Sequence, residues 1–312
     1  MGAKGIAAVT GASGMIGRRI TRNLLRMGYD VRILTRNKTY RADGSRTYYG
    51  NLEDVEVLSA FLKNVLCLFH CAAELHDESR MWDVNVSATE RILSLIPQSG
   101  VSYLCYLSSA GVVGLTKERL VDEGSACSPQ NRYEKSKWAA EQLVARGVAN
   151  CSTVILRPTD VIDEQRPGVL RLPLQARLRD RMEVFIKGNE CAHIVHAEDV
   201  ADAALYFMNT DFKNPAVFFV SCDHEPFNTF SGLWTLYEAI RRGLPIEKTR
   251  RRICLPIIVP YILRRIRRGP CNYGNVRYSS KKLLDAGYRF RLGVEGAVRS
   301  IVASRGGKVE TP

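Results

Sequence analysis

No Cys-x-x-Cys pair occurs in the 312 residues, and none of the five histidines stands in a Cys/His cluster at zinc spacing. Structural zinc chemistry is thereby excluded, and no metal is expected. The nine cysteines are odd in number and scattered, which suits a reducing compartment better than a disulfide framework. A cytoplasmic location is the resulting expectation. Long apolar runs are also missing. The stretch Leu255–Leu263 is far shorter than the ~18–20 residues of a membrane span, and Pro256 and Pro260 interrupt it. The start of the chain does not read as a signal peptide, because Gly5–Thr10 already has the pattern of a strand entering a glycine turn. Its Met-Gly beginning lacks the Ser or Thr at position six that myristoylation needs, where Ile6 stands instead. Internal repeats and low-complexity segments are absent.

Acidic residues are scarce in one place only. Residues 1–240 carry 27 Lys+Arg against 28 Asp+Glu, whereas residues 241–312 carry 18 against 4, so the whole net charge of +13 arises in the last 72 positions. Such a field favours an anionic partner, either a diphosphate-bearing substrate or an anionic lipid surface. Nucleic acid is not expected, since the tail shows no recognised nucleic-acid module and no interleaved aromatics.

Apolar runs alternate with helical stretches in the first half, which predicts an α/β fold with a doubly wound parallel sheet. Strands are expected at Ile6–Thr10, Val31–Thr35, about Tyr48–Leu52, Val65–His70, Tyr103–Ser108 and Ser152–Leu156. Helices are expected over Met15–Met27, about Val84–Ile96 and Tyr133–Arg146. Residues 1–160 then form one domain, and residues 161–312 mix a smaller lobe with the remaining elements of the sheet fold, the basic region being 241–312.

Thr10-Gly-Ala-Ser-Gly-Met-Ile-Gly17 joins the first strand to the first helix. In such a loop Gly11 permits the tight turn, Gly14 lets the backbone approach a pyrophosphate, and Gly17 allows close helix–sheet packing. The backbone of Ser13, Gly14, Met15 and Ile16 then offers amide donors at the positive end of a helix. Further along, Tyr133 and Lys137 are four residues apart and share one helix face. An ammonium beside a phenol, helped by the positive charge of an oxidised nicotinamide, favours the phenolate, so the pKa of Tyr133 is expected to fall from its ordinary value near ~10. Tyr133 then exchanges a proton with a substrate oxygen while hydride moves at the neighbouring carbon.

These motifs, with Leu107-Ser-Ser-Ala-Gly-Val-Val-Gly114 about two dozen residues before Tyr133, resemble the extended short-chain dehydrogenase/reductases, the NAD-dependent epimerase/dehydratase family. The resemblance implies that Ser109 hydrogen-bonds the substrate oxygen, in preference to Ser108, and that Lys137 also holds the cofactor ribose. It further implies that Asn51 and Leu52 lie by the adenine, that Ala72 and Ala73 flank the ribose, that Asn85 is a structural asparagine near the cofactor, and that Pro158, in the landmark Leu156-Arg-Pro158, also binds the cofactor. His196-Ala-Glu-Asp-Val200 matches a later landmark of the family. Family members are commonly homodimers through the helices that include the position of Tyr133.

Cofactor choice is read at Leu34-Thr-Arg-Asn37, where Thr35 stands in place of the carboxylate usual for NAD selection and Arg36 follows it. A guanidinium binds a 2′-phosphate that a carboxylate repels, so NADP(H) is the expected preference and NAD(H) the alternative. The leading expectation for the reaction is a nucleotide-sugar ketoreductase or epimerase, with Thr159 and Asp160 at the substrate. Asp160 departs from the Asn that many sugar-nucleotide members carry. The alternative is a reductase or dehydrogenase of a less polar ketone, because Arg157-Pro-Thr-Asp-Val-Ile162 resembles the 3β-hydroxysteroid dehydrogenase and dihydroflavonol reductase branch. A third reading is a non-catalytic NADP-binding sensor. Residues 253–268, apolar with an arginine cluster, suit peripheral contact with a membrane.

Overall fold

In the computed structural model, which describes residues 4–249 and 252–306, the alternating pattern resolves into strands and helices close to those expected. The strands are β1 (Ile6–Thr10), β2 (Asp30–Thr35), β3 (Arg46–Tyr49), β4 (Cys67–His70), β5 (Tyr103–Leu107), β6 (Leu120–Val121), β7 (Ser152–Pro158), β8 (Asp160–Ile162), β9 (Ile194–His196), β10 (Ala216–Val220) and β11 (Arg277–Tyr278). The α-helices are α1 (Met15–Arg26), α2 (Val55–Leu62), α3 (Ala88–Leu95), α4 (Arg132–Val144), α5 (Arg171–Gln175), α6 (Leu178–Lys187), α7 (Ala197–Tyr206), α8 (Phe230–Arg242), α9 (Ile258–Arg268), α10 (Lys281–Asp285) and α11 (Gly293–Ala303).

The described residues fall into two compact units, the first drawn from Met1–Gly114, Cys127–Arg157 and Val200–Phe218, the second from Leu115–Ala126, Pro158–Asp199 and Phe219–Pro312. The first is built on a seven-stranded sheet in the order β10-β7-β5-β4-β1-β2-β3. The pairings of β1 with β2 and β4, of β2 with β3, and of β5 with β4 and β7 are parallel. Strand order reverses between β1 and β4, so a crevice opens outside their carboxyl ends, at Thr10 and His70, where such sheets bind ligands. One layer of the core joins Leu58, Phe61 and Leu62 of α2 to Leu34, Leu68, Leu104 and Ile155 of the sheet. Helix α1 buries Ile20 and Leu24, four residues apart on one face, and ends at Met27 before Gly28, whose φ of 85° few other residues adopt.

The helix expected over Val84–Ile96 departs from its pattern. Residues Asp83–Ser87 form a π-turn ahead of α3. The wider turn is accompanied by a set of side-chain bonds at Asn85, described below; π-bulges of this sort recur at functional sites.

In the second unit β8 pairs with β9 and β6 with β11, each in parallel. Trp234 of α8 packs with Leu172 and Val184. Asp199, fully buried, accepts bonds from the backbone N–H groups of Arg291 (2.9 Å), Leu292 (3.0 Å) and Gly293 (3.0 Å), which ties the turn after β9 to the start of α11.

Candidate active site

The glycine loop is built to the tolerance of its backbone. A Cβ on Gly11, at φ 67°, would stand 2.7 Å from the Ala72 nitrogen, and one on Gly17 would strike the Gly11 carbonyl. Neither position admits a side chain. A Cβ on Gly14 would meet only the Gly11 oxygen, at 3.2 Å, so the loop is open on that side. No side chain caps the N-terminus of α1 at Gly14. An open glycine face at a helix N-terminus, beside the crevice between β1 and β4, fits a pyrophosphate. Thr10 braces the loop from below, its Oγ1 accepting from Ala72 N at 3.2 Å and lying 2.7 Å from His70 Nδ1. Tyr40, which sequence reasoning passed over, donates from its hydroxyl to the Ala12 carbonyl at 2.9 Å.

His70 is enclosed between Thr10 and Thr89, with Nε2 3.0 Å from Thr89 Oγ1, and burial first, then the charge of Lys137, lowers its pKa to about 3. It is neutral when folded and binds a proton in the unfolded chain below about 6.5. Its contribution to stability is therefore complete above pH 6.5 and is lost as pH falls toward 3, by about 1.4 kcal/mol per pH unit. In urea titrations between pH 6 and 4, His70→Gln is expected to lose stability less steeply than the native chain by that amount. Parallel slopes would show that His70 titrates alike in both states.

On the other side of the crevice, a capping box starts α4: Asn131 Oδ1 accepts from Glu134 N at 2.9 Å, and the Glu134 carboxylate accepts from Asn131 N and Gln130 N. This places Tyr133 in the first turn and Lys137 one turn on. Ser136, between them, donates to the Tyr133 carbonyl at 2.8 Å and accepts from Asn85 Nδ2 at 2.9 Å. Asn85 Nδ2 also donates to the Glu74 carbonyl (3.0 Å), and Oδ1 accepts from Glu74 N (2.7 Å). The amide of Asn85 is thus spent on protein, and it positions α4 against the loop after β4.

Ser109 follows β5 and caps the short turn Ala110–Val113, with Oγ accepting from Gly111 N at 3.1 Å. It also lies close enough to the phenol of Tyr133 to favour the phenolate. Lys137 is buried and donates from Nζ to the Leu107 carbonyl at 2.5 Å, with Nζ 4.4 Å from the centroid of the Tyr106 ring. Burial brings the pKa of Lys137 down to about 8, against the opposing charge of Glu141.

One expectation is corrected here. The phenol of Tyr133 is not lowered by the ammonium; burial raises it above its ordinary value, and only Ser109 works the other way. The ammonium is turned to the Leu107 carbonyl and the Tyr106 ring, so its field does not dominate at the phenol.

Beneath Lys137 lies a network that sequence reasoning did not assemble. Glu141 accepts from Arg157 Nη2 at 2.6 Å and from Arg157 Nε at 3.2 Å, while Ser108 Oγ donates to Glu141 Oε2 at 2.5 Å. All three side chains are buried. The network clamps the ends of β5 and β7 to α4. Its signal was available, because Glu141 continues the four-residue spacing of Tyr133 and Lys137.

Of the remaining predicted residues, Arg36 is exposed and adds to the field that holds the Glu74 carboxyl below the usual range, an effect due first to the His76 and Asp77 amides. Asn51 Oδ1 accepts from Glu53 N and Asp54 N at 2.8 and 2.9 Å and shapes the turn before α2, while Leu52 packs on the core. Ala73 directly follows Ala72 at the loop after β4. Pro158, Thr159 and Asp160 belong to the second unit. There the Thr159 amide donates to the Val220 carbonyl at 3.2 Å. The Asp160 carboxyl keeps solvent contact yet is pushed above its usual range by its surroundings, with His193 opposing. His193, at φ 56°, has Nδ1 2.7 Å from Asp223 Oδ2, a pair that no local pattern announces. Among the described residues no cluster of His, Cys, Asp or Glu could hold a metal ion.

A sequence model of the NAD dependent epimerase/dehydratase family matches residues 7–220. The chain belongs to that family. N-acetyl-alpha-D-glucosaminyl-diphospho-ditrans,octacis-undecaprenol 4-epimerase of Escherichia coli O157:H7 is 30% identical over 166 residues, covering 51% of this chain and 49% of that protein. Sterol-4-alpha-carboxylate 3-dehydrogenase, decarboxylating, of Dictyostelium discoideum is 29% identical over 196 residues, covering 58% and 56%. The chain therefore spans about half the length of these curated relatives. Among solved structures, a short-chain dehydrogenase/reductase superfamily protein from Agrobacterium tumefaciens with bound NAD has a TM-score of 0.73 at 21% identity, over 96% of this chain and 97% of that one. That likeness establishes the doubly wound Rossmann fold.

Proposed function

We propose that this family member is an oxidoreductase that exchanges hydride between a nicotinamide dinucleotide and a secondary alcohol or ketone. The observation that carries the reading is the meeting of Ser109, Tyr133 and Lys137 at the carboxyl end of β5, one strand from the glycine loop's crevice. Bound nicotinamide would supply or accept the hydride. The chain's own residues do the rest: Ser109 holds the substrate oxygen, Tyr133 gives it or takes from it a proton, and Lys137 fixes the end of β5 and offers a donor to the ribose. A phenol raised by burial is protonated across neutral pH, so Tyr133 is set to donate, the proton role that ketone reduction requires. The substrate class best supported is a nucleoside diphosphate sugar, as a ketoreductase or epimerase, with a homodimer formed through α4. A less polar ketone is the second reading, favoured by the sterol dehydrogenase among the relatives.

Arg36, with Thr35 in place of an acid, supports NADP(H) over NAD(H), by about tenfold or more for one charge-assisted bond to a 2′-phosphate. Equilibrium titration with both dinucleotides checks this, and equal or tighter NAD(H) binding ends the NADP(H) preference. Turnover of UDP-sugars, compared with that of steroid ketones under the same cofactor, distinguishes the two substrate readings. Absence of any nucleoside diphosphate binding at millimolar concentration removes the first.

A further inference from the structure

Helix α9 is oriented against the usual rule for a surface helix. Its apolar row, Ile258, Ile262 and Ile266 at four-residue spacing with Leu263 beside it, faces solvent, with Leu263 55% and Ile266 79% exposed. At 100° per residue, Pro260 and Arg264 lie on the other side, and these turn to the protein. Pro260 is buried, and Arg264 Nη1 donates to the Glu190 carboxylate at 2.5 and 2.7 Å. The neighbouring helix α6, which packs on α9, does the same: Leu178, 79% exposed, Met182 and Phe185 form a second outward row. The backbone joins the two, since Leu255 N donates to the Phe185 carbonyl at 2.8 Å. Two adjoining helices thus each turn an apolar row to solvent, where isolated exposed residues would need no explanation.

Charge identifies the occupant. Helix α9 contains no acidic residue, and Arg265, Arg267 and Arg268 are all exposed beside the apolar row. We propose that α9 and α6 seat this chain on an anionic bilayer surface. The isoleucine and leucine side chains enter the headgroup boundary, and the guanidinium groups pair with lipid phosphates and carboxylates. A second copy of the chain is the poorer match, because α9 offers these arginines no carboxylate of its own, whereas an anionic bilayer offers many negative groups. The inference does not depend on the proposed chemistry, although a substrate held in lipid would give the docking a purpose.

Co-flotation of the full chain with vesicles of phosphatidylcholine, with or without phosphatidylserine, tests it. Binding is expected to vesicles containing about one-third phosphatidylserine, to weaken with salt, and to be far weaker to phosphatidylcholine alone. Replacing Arg265, Arg267 and Arg268 by Gln is expected to weaken partition about a hundredfold, each cation near a charged surface contributing roughly fivefold. Ile262→Asp with Ile266→Asp is expected to abolish it, with the thermal unfolding midpoint kept as the control for folding. Three results would each overturn the proposal: no binding at millimolar lipid, equal binding by folded variants, or a native dimer that the aspartates convert to monomer without affecting flotation.

Discussion

Tyr133→Phe is expected to lower turnover by about 10²–10⁴-fold, the range for removing a positioned general acid, while the dinucleotide still binds. The substitution deletes one oxygen and leaves the half-buried aromatic ring in place, so the helix start capped by Asn131 and Glu134 is kept. Lys137 should remain docked on the Leu107 carbonyl, because that bond does not involve the phenol. Initial rates with saturating cofactor, beside a cofactor titration of the variant, check both halves. A variant retaining more than about a tenth of native turnover would remove Tyr133 from the chemistry and leave the fold assignment untouched. With the phenol raised by burial, native activity in the oxidising direction is expected to rise toward alkaline pH, where Tyr133 can accept a proton.

Glu141→Ala carries the largest expected loss of stability, about 3–5 kcal/mol, the cost of stranding one member of a buried ion pair. The alanine would leave the Arg157 guanidinium, which donates twice to this carboxylate, in a dry environment, and would remove the acceptor of Ser108. Lys137 would also lose the negative neighbour that offsets its burial, so its pKa should fall below about 8. Glu141→Gln keeps an acceptor and the side-chain volume and is expected to lose less. Urea unfolding of both variants measures the difference. A loss under 1 kcal/mol for the alanine would show that the network adds little to the hydrophobic packing around it.

Much of the site could be read along the chain because its parts are local. The glycine loop needs only a strand, three glycines at fixed spacing and a helix, all within residues 6–26. The pairing of Tyr133 with Lys137 needs only the helical repeat. What escaped were partners brought from far apart. Glu141 and Arg157 sit on α4 and β7, His193 finds Asp223 across thirty positions, and Asn85 meets Ser136 across fifty-one. The phenol's electrostatics were misjudged for a related reason: spacing told which residues share a face but not where the Lys137 amine is drawn, and that is decided by the Leu107 carbonyl on another element.

Helix α9 shows the same division. Its composition and period mark it as amphipathic and basic, but periodicity has no sign, and only the packing, with Pro260 buried and Glu190 beneath Arg264, shows that the apolar side is the outer one. The order of residues by itself therefore determined the alternating strands and helices, the dinucleotide loop and the Tyr133–Lys137 face, since hydrophobic period, turn chemistry and helical spacing act over a few residues. Tertiary structure alone decided the protonation of Tyr133, Lys137 and His70 and the outward turn of α9. Burial and charge at a point depend on every element that packs around it.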